Sequence, residues 1–344
     1  MKKPFLFFVI FFLGLVAQSN SQSFQSIKID TVFNDEISIR ALTIFGDKVY
    51  FAGNKKKVGY ISISDKQKTE IVNNSLSDEC RSLAVNGENV FVLSINNPAR
   101  LYKFSKSLED LTLVYQESHE KVFYDSMQFW NEKEGIAIGD PTNDCLSIII
   151  TRDGGNIWRK TDCDNLPEIA DGEAAFAASN TNIVLKGNHV WIVSGGKRAR
   201  VFHSPNKGKT WEVFETPIVQ GEAMTGIFSA DFYDEKIGFI VGGNYEKPAL
   251  NSQNKAITTD GGKTWNLIAD NSGFGYASCV QFVPKSNGKG IVSVGASGLQ
   301  YSADGGNTWK QLSTDATLYT IRFLDEDTAF AAGRNKIVKI EFKK

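Results

Sequence analysis

An eight-residue motif that recurs four times restricts the fold of this chain more than any other feature of its sequence. Each copy has Ser or Thr at its first position, Asp or Asn at its third, Gly at its fifth and Trp at its eighth. The copies occupy residues 151–158, 204–211, 258–265 and 302–309. Successive tryptophans are roughly 44 to 54 residues apart, a period typical of repeated four-stranded units. The spacing therefore predicts one repeat architecture.

The residue types of the motif suit a tight turn between two strands. The side chains at the first and third positions can hydrogen-bond to amides of the turn. Glycine supplies a positive φ, and tryptophan returns to the next strand, where it covers a large apolar area. We therefore predict a structural role for these positions. They are Asp153, Trp158, Asn206, Trp211, Asp260, Trp265, Asp304 and Trp309.

Short apolar strands that end in or near glycine recur seven times. They cover residues 49–53, 90–94, 135–139, 190–195, 238–242, 291–295 and 329–333. Each is β-branched or aromatic and is bounded by turn residues. A further strand at about 24–32 precedes the first unit, and we expect it to complete the last one, because closing a ring satisfies the edge strands. The pattern predicts an all-β, seven-bladed β-propeller over residues 22–344, with the N-terminal strand closing the last blade.

Together these repeats resemble Asp-box (BNR-like) β-propellers, most closely the photosystem II stability/assembly factor-like group. Segments 125–129, 135–141 and 195–202 look like the blade openings and strand ends of that group. The first two units lack a full box and have degenerate copies at 62–65 and 105–108. The resemblance implies a binding or assembly scaffold that has no cofactor and no known catalysis.

Sialidases share the Asp box more distantly, so a sialidase-like or other glycoside hydrolase is the alternative function. Sialidases need three arginines and a tyrosine nucleophile paired with a glutamate; Arg40 and Tyr276 are the partial matches here. Other glycosidases need two facing carboxylates. The candidates near inner strands are Asp125, Asp140, Glu173 and Asp231.

The N-terminus reads as a secretory signal peptide over residues 1–21, with a basic start, a short apolar run and small residues at the cleavage site. No cysteine lies near that site, so we expect a secreted or periplasmic protein, not a lipoprotein. An exported chain can form disulfides, and Cys145 and Cys163 are the pair we expect to be close enough. Cys80 and Cys279 look like core residues.

Charge and motif content exclude several classes of function. The formal net charge is −1, which argues against nucleic-acid binding through overall basicity. The three histidines and four cysteines show no metal spacing. No segment after the leader is long and apolar enough to span a membrane. We therefore expect no metal, no nucleic-acid partner and no membrane span.

Basic residues concentrate in the loops between the second and third strands, which share one face of a propeller with the blade-to-blade connections. The loop bases are Lys55, Lys56, Lys57, Arg100, Lys197, Arg198, Arg200, Lys247, Lys255, Arg334 and Lys336, against Asp140, Asp144 and Glu246. We expect Arg40 and Arg81 to line the channel below.

Two interpretations of these bases remain open. One is that they are ordinary solvated residues, balanced by acidic connections such as Asp35-Glu36 and Asp78-Glu79. The other is that they dock an anionic protein or ligand. In that case, changing Arg198 and Arg200 to Glu should abolish partner capture and leave the melting temperature unchanged.

Overall fold

Alternating apolar segments separated by turn residues form antiparallel β-strands throughout the computed structural model. The structure describes residues 23–65, 69–72, 76 and 78–344, so the predicted signal peptide lies outside the described residues. A short 3₁₀ turn, Cys163–Asn165, lies between the strands Arg159–Lys160 and Glu173–Ala174.

The first fourteen strands are β1 Ser26–Phe45, β2 Lys48–Gly53, β3 Val58–Ser62, β4 Thr69–Val72, β5 Cys80–Val85, β6 Asn89–Ser94, β7 Ala99–Ser105, β8 Leu111–Glu117, β9 Tyr124–Phe129, β10 Gly135–Gly139, β11 Ser147–Thr151, β12 Arg159–Lys160, β13 Glu173–Ala174 and β14 Ile183–Lys186. The others are β15 His189–Val193, β16 Gly195–Gly196, β17 Arg200–Ser204, β18 Glu212–Glu215, β19 Thr225–Phe232, β20 Gly238–Asn244, β21 Lys255–Thr258, β22 Asn266–Leu267, β23 Ala277–Phe282, β24 Ile291–Gly295, β25 Gly298–Ser302, β26 Lys310–Ser313, β27 Leu318–Phe323 and β28 Thr328–Lys343.

The sheets surround a central channel lined by their inner strands. In chain order the inner strands of the described residues are the second half of β1, then β5, β9, β14, β19, β23 and β27. Each contacts the next, and β27 contacts β1, so the ring is closed. Closure gives every inner strand a packed neighbour on each side. The fold is an all-β propeller, as predicted.

The number of blades differs from the prediction. The described strands form six hydrogen-bonded sheets: four have four strands each, and two have six. The sheet in the order β27-β28-β1-β2-β3-β4 contains both the first and the seventh predicted units. We call it the closing sheet. Counted as continuous sheets, the blades therefore number six, and the prediction of seven is wrong.

The reason is the length of β1, which serves two partners in turn. Its first half pairs with β28, from Ser26 opposite Lys343 to Ser38 opposite Arg334. Its second half pairs with β2, from Ile39 opposite Gly53 to Phe45 opposite Lys48. One uninterrupted strand thus joins the N-terminal and C-terminal units, and the predicted pairing of the N-terminal strand with the last unit is present.

The Asp-box turns have the hydrogen bonds that the motif predicts. Asp260 Oδ1 accepts from Thr258 Oγ1 at 2.8 Å and from the Thr264 N–H at 2.9 Å, while the Gly262 N–H donates to Thr258 Oγ1 at 2.9 Å. The boxes of Asp153, Asn206 and Asp304 repeat these bonds. Asparagine at 206 therefore preserves the turn.

The boxes also join neighbouring sheets. Gly155 has φ +82° and Gly306 has φ +97°; a Cβ at these sites would overlap the rings of Phe91 and Phe239, which belong to the preceding sheets. Glycine is therefore required both by backbone conformation and by close packing. The box tryptophan adds to the same contacts, since the Trp158 ring lies 6.1 Å from that of Phe91, edge to face.

The degenerate box of the first unit takes its carboxylate from another turn. Asp47, between β1 and β2, accepts hydrogen bonds from Ser62 Oγ at 2.7 Å, Ser64 Oγ at 2.6 Å and the Ser64 N–H at 2.8 Å. In this unit the carboxylate that accepts the hydrogen bonds of the turn therefore comes from the β1–β2 turn and not from the box itself. Farther along the chain, a disulfide joins Cys145 to Cys163, whereas Cys80 and Cys279 are free and buried.

A short segment fills the middle of the channel. Residues 178–182, directly before β14, are all buried. Asn180 Nδ2 donates to the Leu83 carbonyl in β5 at 2.8 Å, and Asn180 Oδ1 accepts from the Met127 N–H in β9 at 3.1 Å. Thr181 Oγ1 lies 2.7 Å from Ser229 Oγ in β19. We call residues 178–182 the plug.

The plug reaches the remaining inner strands through its other residues. Ser179 Oγ donates to the Ser278 carbonyl in β23 at 2.5 Å, and Thr320 Oγ1 in β27 donates to the Ser179 carbonyl at 3.1 Å. Arg40 Nη1 in β1 donates to the Ala178 carbonyl at 3.2 Å. One segment thus bonds to six inner strands and divides the channel into two mouths.

We expect Asn180→Ala to lower the free energy of unfolding by about 3 kcal/mol or more. The change leaves two buried backbone partners without hydrogen bonds, each costing about 1–3 kcal/mol. It also places alanine at φ +58°, which costs about 1–2 kcal/mol. Urea unfolding measures the loss. Asn335→Ala is the matched control, because Asn335 has φ +64° but is exposed. An equal loss in both variants would contradict the role of the plug.

Candidate functional site

The inner strands share a β-bulge at the end where the predicted basic loops lie. In six inner strands, the pairing with the second strand of the same sheet skips one residue at this end. The skipped residues are Arg40, Arg81, Asp125, Phe228, Ser278 and Tyr319. Bulges redirect a side chain from the regular alternation of a strand. We call this end of the channel the loop-face mouth.

The two arginines predicted to line the channel both lie at this mouth. The Arg40 guanidinium is half-buried and stacks over the Tyr319 ring, 4.6 Å from its centroid. Its recorded hydrogen bond goes to the neutral Ala178 carbonyl. Arg81 instead pairs with Glu79, whose Oε1 is 2.7 Å from Arg81 Nε. The two arginines therefore differ: Glu79 neutralises Arg81, whereas no ion pair of Arg40 is recorded among the described residues.

An aromatic strip adjoins Arg40. The rings of Phe176 and Phe228 stack with centroids 4.0 Å apart, and Phe228 meets Tyr276 edge to face at 4.8 Å. Tyr276 meets Tyr245 edge to face at 5.2 Å, and Tyr245 is exposed. The strip thus leads from the channel to the surface. The sequence reasoning missed Phe228 and Tyr319, although their place in the repeat equals that of Arg40.

Two carboxyl groups, those of buried Asp125 and half-buried Asp140, lie behind Arg81. Burial raises the pKa of Asp125 well above its usual value, the charge of Asp140 raises it further, and Arg81 partly opposes both. Burial also raises the pKa of Asp140 to about 7, although the Ala175 N–H donates to this carboxyl at 2.9 Å. Neither oxygen of Asp125 has a hydrogen-bond partner. Two acids in such surroundings favour the protonated form.

Apart from Asp125 and Asp140, which lie near each other, the candidate hydrolase residues are dispersed. Asp231 lies in β19 toward the opposite end of the channel, and Glu173 binds Arg200. Tyr276 is enclosed by Phe228 and Tyr245, and burial raises its pKa. A tyrosine nucleophile requires the opposite shift, from a nearby base. The geometry therefore gives no support to the sialidase-like alternative.

Most of the predicted basic loop residues are neutralised by acids from blade-to-blade connections and outer strands. These pairs agree with the first of the two interpretations, in which acidic connections such as Asp35-Glu36 and Asp78-Glu79 balance the bases. The observed pairs are Lys55–Glu36, Lys57–Asp35, Arg100–Asp78, Lys197–Asp171, Arg198–Glu215, Arg200–Glu173, Lys247–Glu222 and Lys336–Asp315. The exposed pairs among them contribute little to stability, but every pair removes free positive charge.

Three of the eleven predicted loop bases form no ion pair within the described residues. Lys255 is buried, and its Nζ donates to Asn254 Oδ1 at 2.6 Å; burial lowers its pKa to about 8. Lys56 and Arg334 are exposed and have no ion pair recorded within the described chain. Both belong to the closing sheet, where Arg334 is opposite Ser38, two residues before Arg40. Of the bases predicted for this face and its channel, the ones that are accessible and have no ion pair in the described chain are thus Arg40, Lys56 and Arg334.

Two further properties concern the described part of the chain. None of its helices is both long and apolar enough for a bilayer crossing. Within the same residues, no three His, Cys, Asp or Glu side chains are grouped as metal ligands would be.

Comparison with known proteins agrees with the fold. Residues 256–267 match the family model described as BNR/Asp-box repeat. The structure titled "YCF48 bound to D1 peptide" is similar, with a TM-score of 0.65 and 13% identity over 94% of this chain and 98% of that one. YCF48 from Cyanidioschyzon merolae has a TM-score of 0.65 and 12% identity, over 93% and 99%.

Propellers of another kind are equally similar. The structure titled "Crystal structure of RRP9 WD40 repeats" has a TM-score of 0.66 and 11% identity, covering 93% of this chain and all of that one, 100%. No curated protein sequence matches the chain. At these identities the likeness shows the fold alone, a β-propeller, and the family model shows an Asp-box repeat within it.

We expect Arg200→Gln to destabilise the protein by about 3–5 kcal/mol. The Glu173 side chain is fully buried, and Arg200 Nη2 lies 2.5 Å from its Oε2. Removing arginine leaves a buried carboxylate without its counter-charge. Arg198→Gln is the control, because its pair with Glu215 is exposed, and it should cost about 0–1 kcal/mol. Urea unfolding measures both.

The Arg200 result would correct an expectation drawn from the sequence. Reversing Arg198 and Arg200 together cannot leave the melting temperature unchanged, because Arg200 is a structural residue. Equal stability of the two single variants would contradict this assignment.

We expect the buried carboxyls to make the protein less stable as pH rises from about 4 toward 7. Because the pKa of Asp140 is raised to about 7, the folded state retains a proton that the unfolded chain has lost. Asp140→Asn should therefore resemble the wild type most closely at about pH 4 and be more stable than the wild type at pH 8. Urea unfolding at both pH values checks this, with exposed Asp144→Asn as the control. Parallel pH profiles of Asp140→Asn and wild type would contradict it.

Proposed function

We propose that this protein is an exported, non-catalytic propeller that binds an acidic segment of a partner protein at the loop-face mouth. The observation that carries the proposal is Arg40, which stacks on Tyr319 at 4.6 Å beside the aromatic strip. Arginine recognises carboxylates through paired hydrogen bonds. Aromatic side chains add rigid contact area at low entropic cost.

The surroundings of Arg40 favour a polypeptide over a small ligand. The plug forms a floor under the mouth, and Lys56 and Arg334 extend the positive charge outward along the closing sheet. An acidic chain lying across the mouth would meet all three cations and the exposed end of the aromatic strip at Tyr245. The similar structure titled "YCF48 bound to D1 peptide" shows that a propeller with this likeness holds a peptide.

We also propose that the protein is exported to an oxidising compartment. The sequence predicts a signal peptide at 1–21, and the Cys145–Cys163 disulfide is typical of secreted and periplasmic proteins. The other predicted loop bases remain possible contacts only if a partner displaces their acids.

Site-specific photo-crosslinking tests the proposed mouth. Benzoylphenylalanine at Tyr319 should yield a discrete protein adduct in an extract of the native host, and mass spectrometry should locate the adduct in an acidic segment. The same label at Leu113, which is exposed on β8, should not yield it. Arg40→Glu should abolish the adduct, whereas Arg159→Glu, an exposed arginine on β12, should not.

Melting temperatures separate binding from folding in this experiment. The Arg40→Glu variant must unfold within a few degrees of the wild type for its loss of adduct to count. An adduct that survives Arg40→Glu, or that forms equally from position 113, would overturn the proposal.

A further inference from the structure

The mouth opposite the loop face contains a cavity that the sequence did not predict. It has a volume of about 500 Å³ and lies among the C-terminal halves of the inner strands β9, β14, β19, β23 and β27. Its polar lining consists mainly of Gln128, Thr181, Lys186, Asp231, Gln281 and Arg322. We call it the distal pocket. Because Thr181 belongs to the plug, the plug separates this pocket from the loop-face mouth.

Arg322 brings a fixed positive charge to the distal pocket. Its Nη1 donates to Thr320 Oγ1 at 2.9 Å and to the Ile321 carbonyl at 2.7 Å. Its Nη2 donates to the Ser179 and Asn180 carbonyls of the plug at 3.1 and 3.3 Å. All these acceptors are neutral. They hold the guanidinium in place without cancelling its charge, which is half-buried at the cavity wall.

The one acidic residue in the lining of the distal pocket, Asp231, bonds to backbone N–H groups. Asp231 is half-buried. Its Oδ1 accepts from the Phe232 N–H at 2.9 Å, and its Oδ2 accepts from the Phe282 N–H at 2.7 Å. Burial raises the pKa of Asp231, and the charge of Lys186 opposes this. No ion pair within 4.0 Å joins Asp231 to Lys186 or Arg322 among the described residues. Asp231 therefore moderates the positive charge of the pocket without forming a contact with either cation.

Of the two lysines that line the distal pocket, Lys285 is neutralised by an acid and Lys186 is not. Lys285 pairs with Glu326 at 2.6 Å, and both are exposed. Lys186 is half-buried on β14 and has no ion pair recorded in the described chain. Gln281 on β23 likewise makes no side-chain hydrogen bond there. Two cations and a free amide thus face a cavity of the size that small ligands occupy, roughly 300–1,000 Å³.

We propose that the distal pocket binds a small organic or inorganic anion through Arg322 and Lys186, with Gln281 bonding to its hydroxyl groups. The ligand class is a molecule that bears a carboxylate or a phosphate. Because the Nη hydrogens of Arg322 already bond to Thr320, Ile321 and the plug, Arg322 attracts such an anion by its charge, and the Lys186 ammonium donates to it directly. This site is independent of the proposed partner surface, because the plug lies between the two.

Calorimetric titration of the full protein with three probes tests the site. Glucuronate supplies a carboxylate on a sugar, inorganic phosphate supplies a phosphate, and glucose is the neutral match for glucuronate. We expect glucuronate or phosphate to bind with a dissociation constant in the millimolar range or below, and glucose not to bind. Whichever anion binds identifies the group that the pocket prefers.

Variants assign the binding to named residues. Arg322→Gln and Lys186→Gln should each weaken anion binding by about tenfold or more, whereas Arg40→Gln at the other mouth should leave it unchanged. Arg322 also donates hydrogen bonds to the plug, so the Arg322→Gln result counts only if this variant keeps the wild-type melting temperature. If it does not, Lys186→Gln alone decides the test, because Lys186 makes no recorded hydrogen bond to the plug in the described chain.

Three outcomes would overturn the proposal. They are no binding of either anion to the wild type at about 10 mM, equal binding of glucose and glucuronate, and anion binding by Lys186→Gln that equals the wild type. None of these outcomes depends on partner crosslinking at Tyr319, so failure here leaves the proposed function to be judged separately.

Discussion

Hydrogen bonds from the plug to six inner strands are the constraint on which the rest of the structure depends. Inner strands that surround an axis leave a gap between their edges, and polar groups buried in that gap need partners. Asn180 supplies both a donor and an acceptor, to β5 and β9, and Ser179 and Thr181 reach β23 and β19. The plug thereby holds the ring together at its centre and closes the channel, so that each mouth becomes a separate concave surface.

The two mouths differ because their cations have different neighbours. At the loop face, acidic connections run beside basic loops, and most charges pair across short distances, as Lys55 does with Glu36 at 2.8 Å. Arg40 escapes pairing because it points inward to the Ala178 carbonyl. At the distal pocket, Arg322 is held by neutral carbonyls and a hydroxyl. A charge held by neutral groups remains available to a ligand, whereas a paired charge must first lose its partner.

Much of the fold could be predicted from residue types at fixed spacing. The box residues around Asp153, Asp260 and Asp304 act locally, within eight positions of the chain, so their hydrogen bonds follow from the motif itself. Arg40 and Arg81 could be placed at the channel because their units share one register. The ion pairs could not be predicted, since Arg200 and Glu173 lie far apart in the sequence and meet only when the connection folds back against β17.

By itself, the sequence determined the all-β repeat, the turns and the positions of the inner strands, because these depend on local conformation and on alternating apolar residues. Only the tertiary structure decided that β1 joins the first and last units into one sheet, making six sheets of the expected seven. It also decided which charges remain unpaired and that residues 178–182 fill the channel. These outcomes rest on contacts between distant segments, and a pattern of nearby residues contains no information about which distant group will satisfy a buried charge or amide.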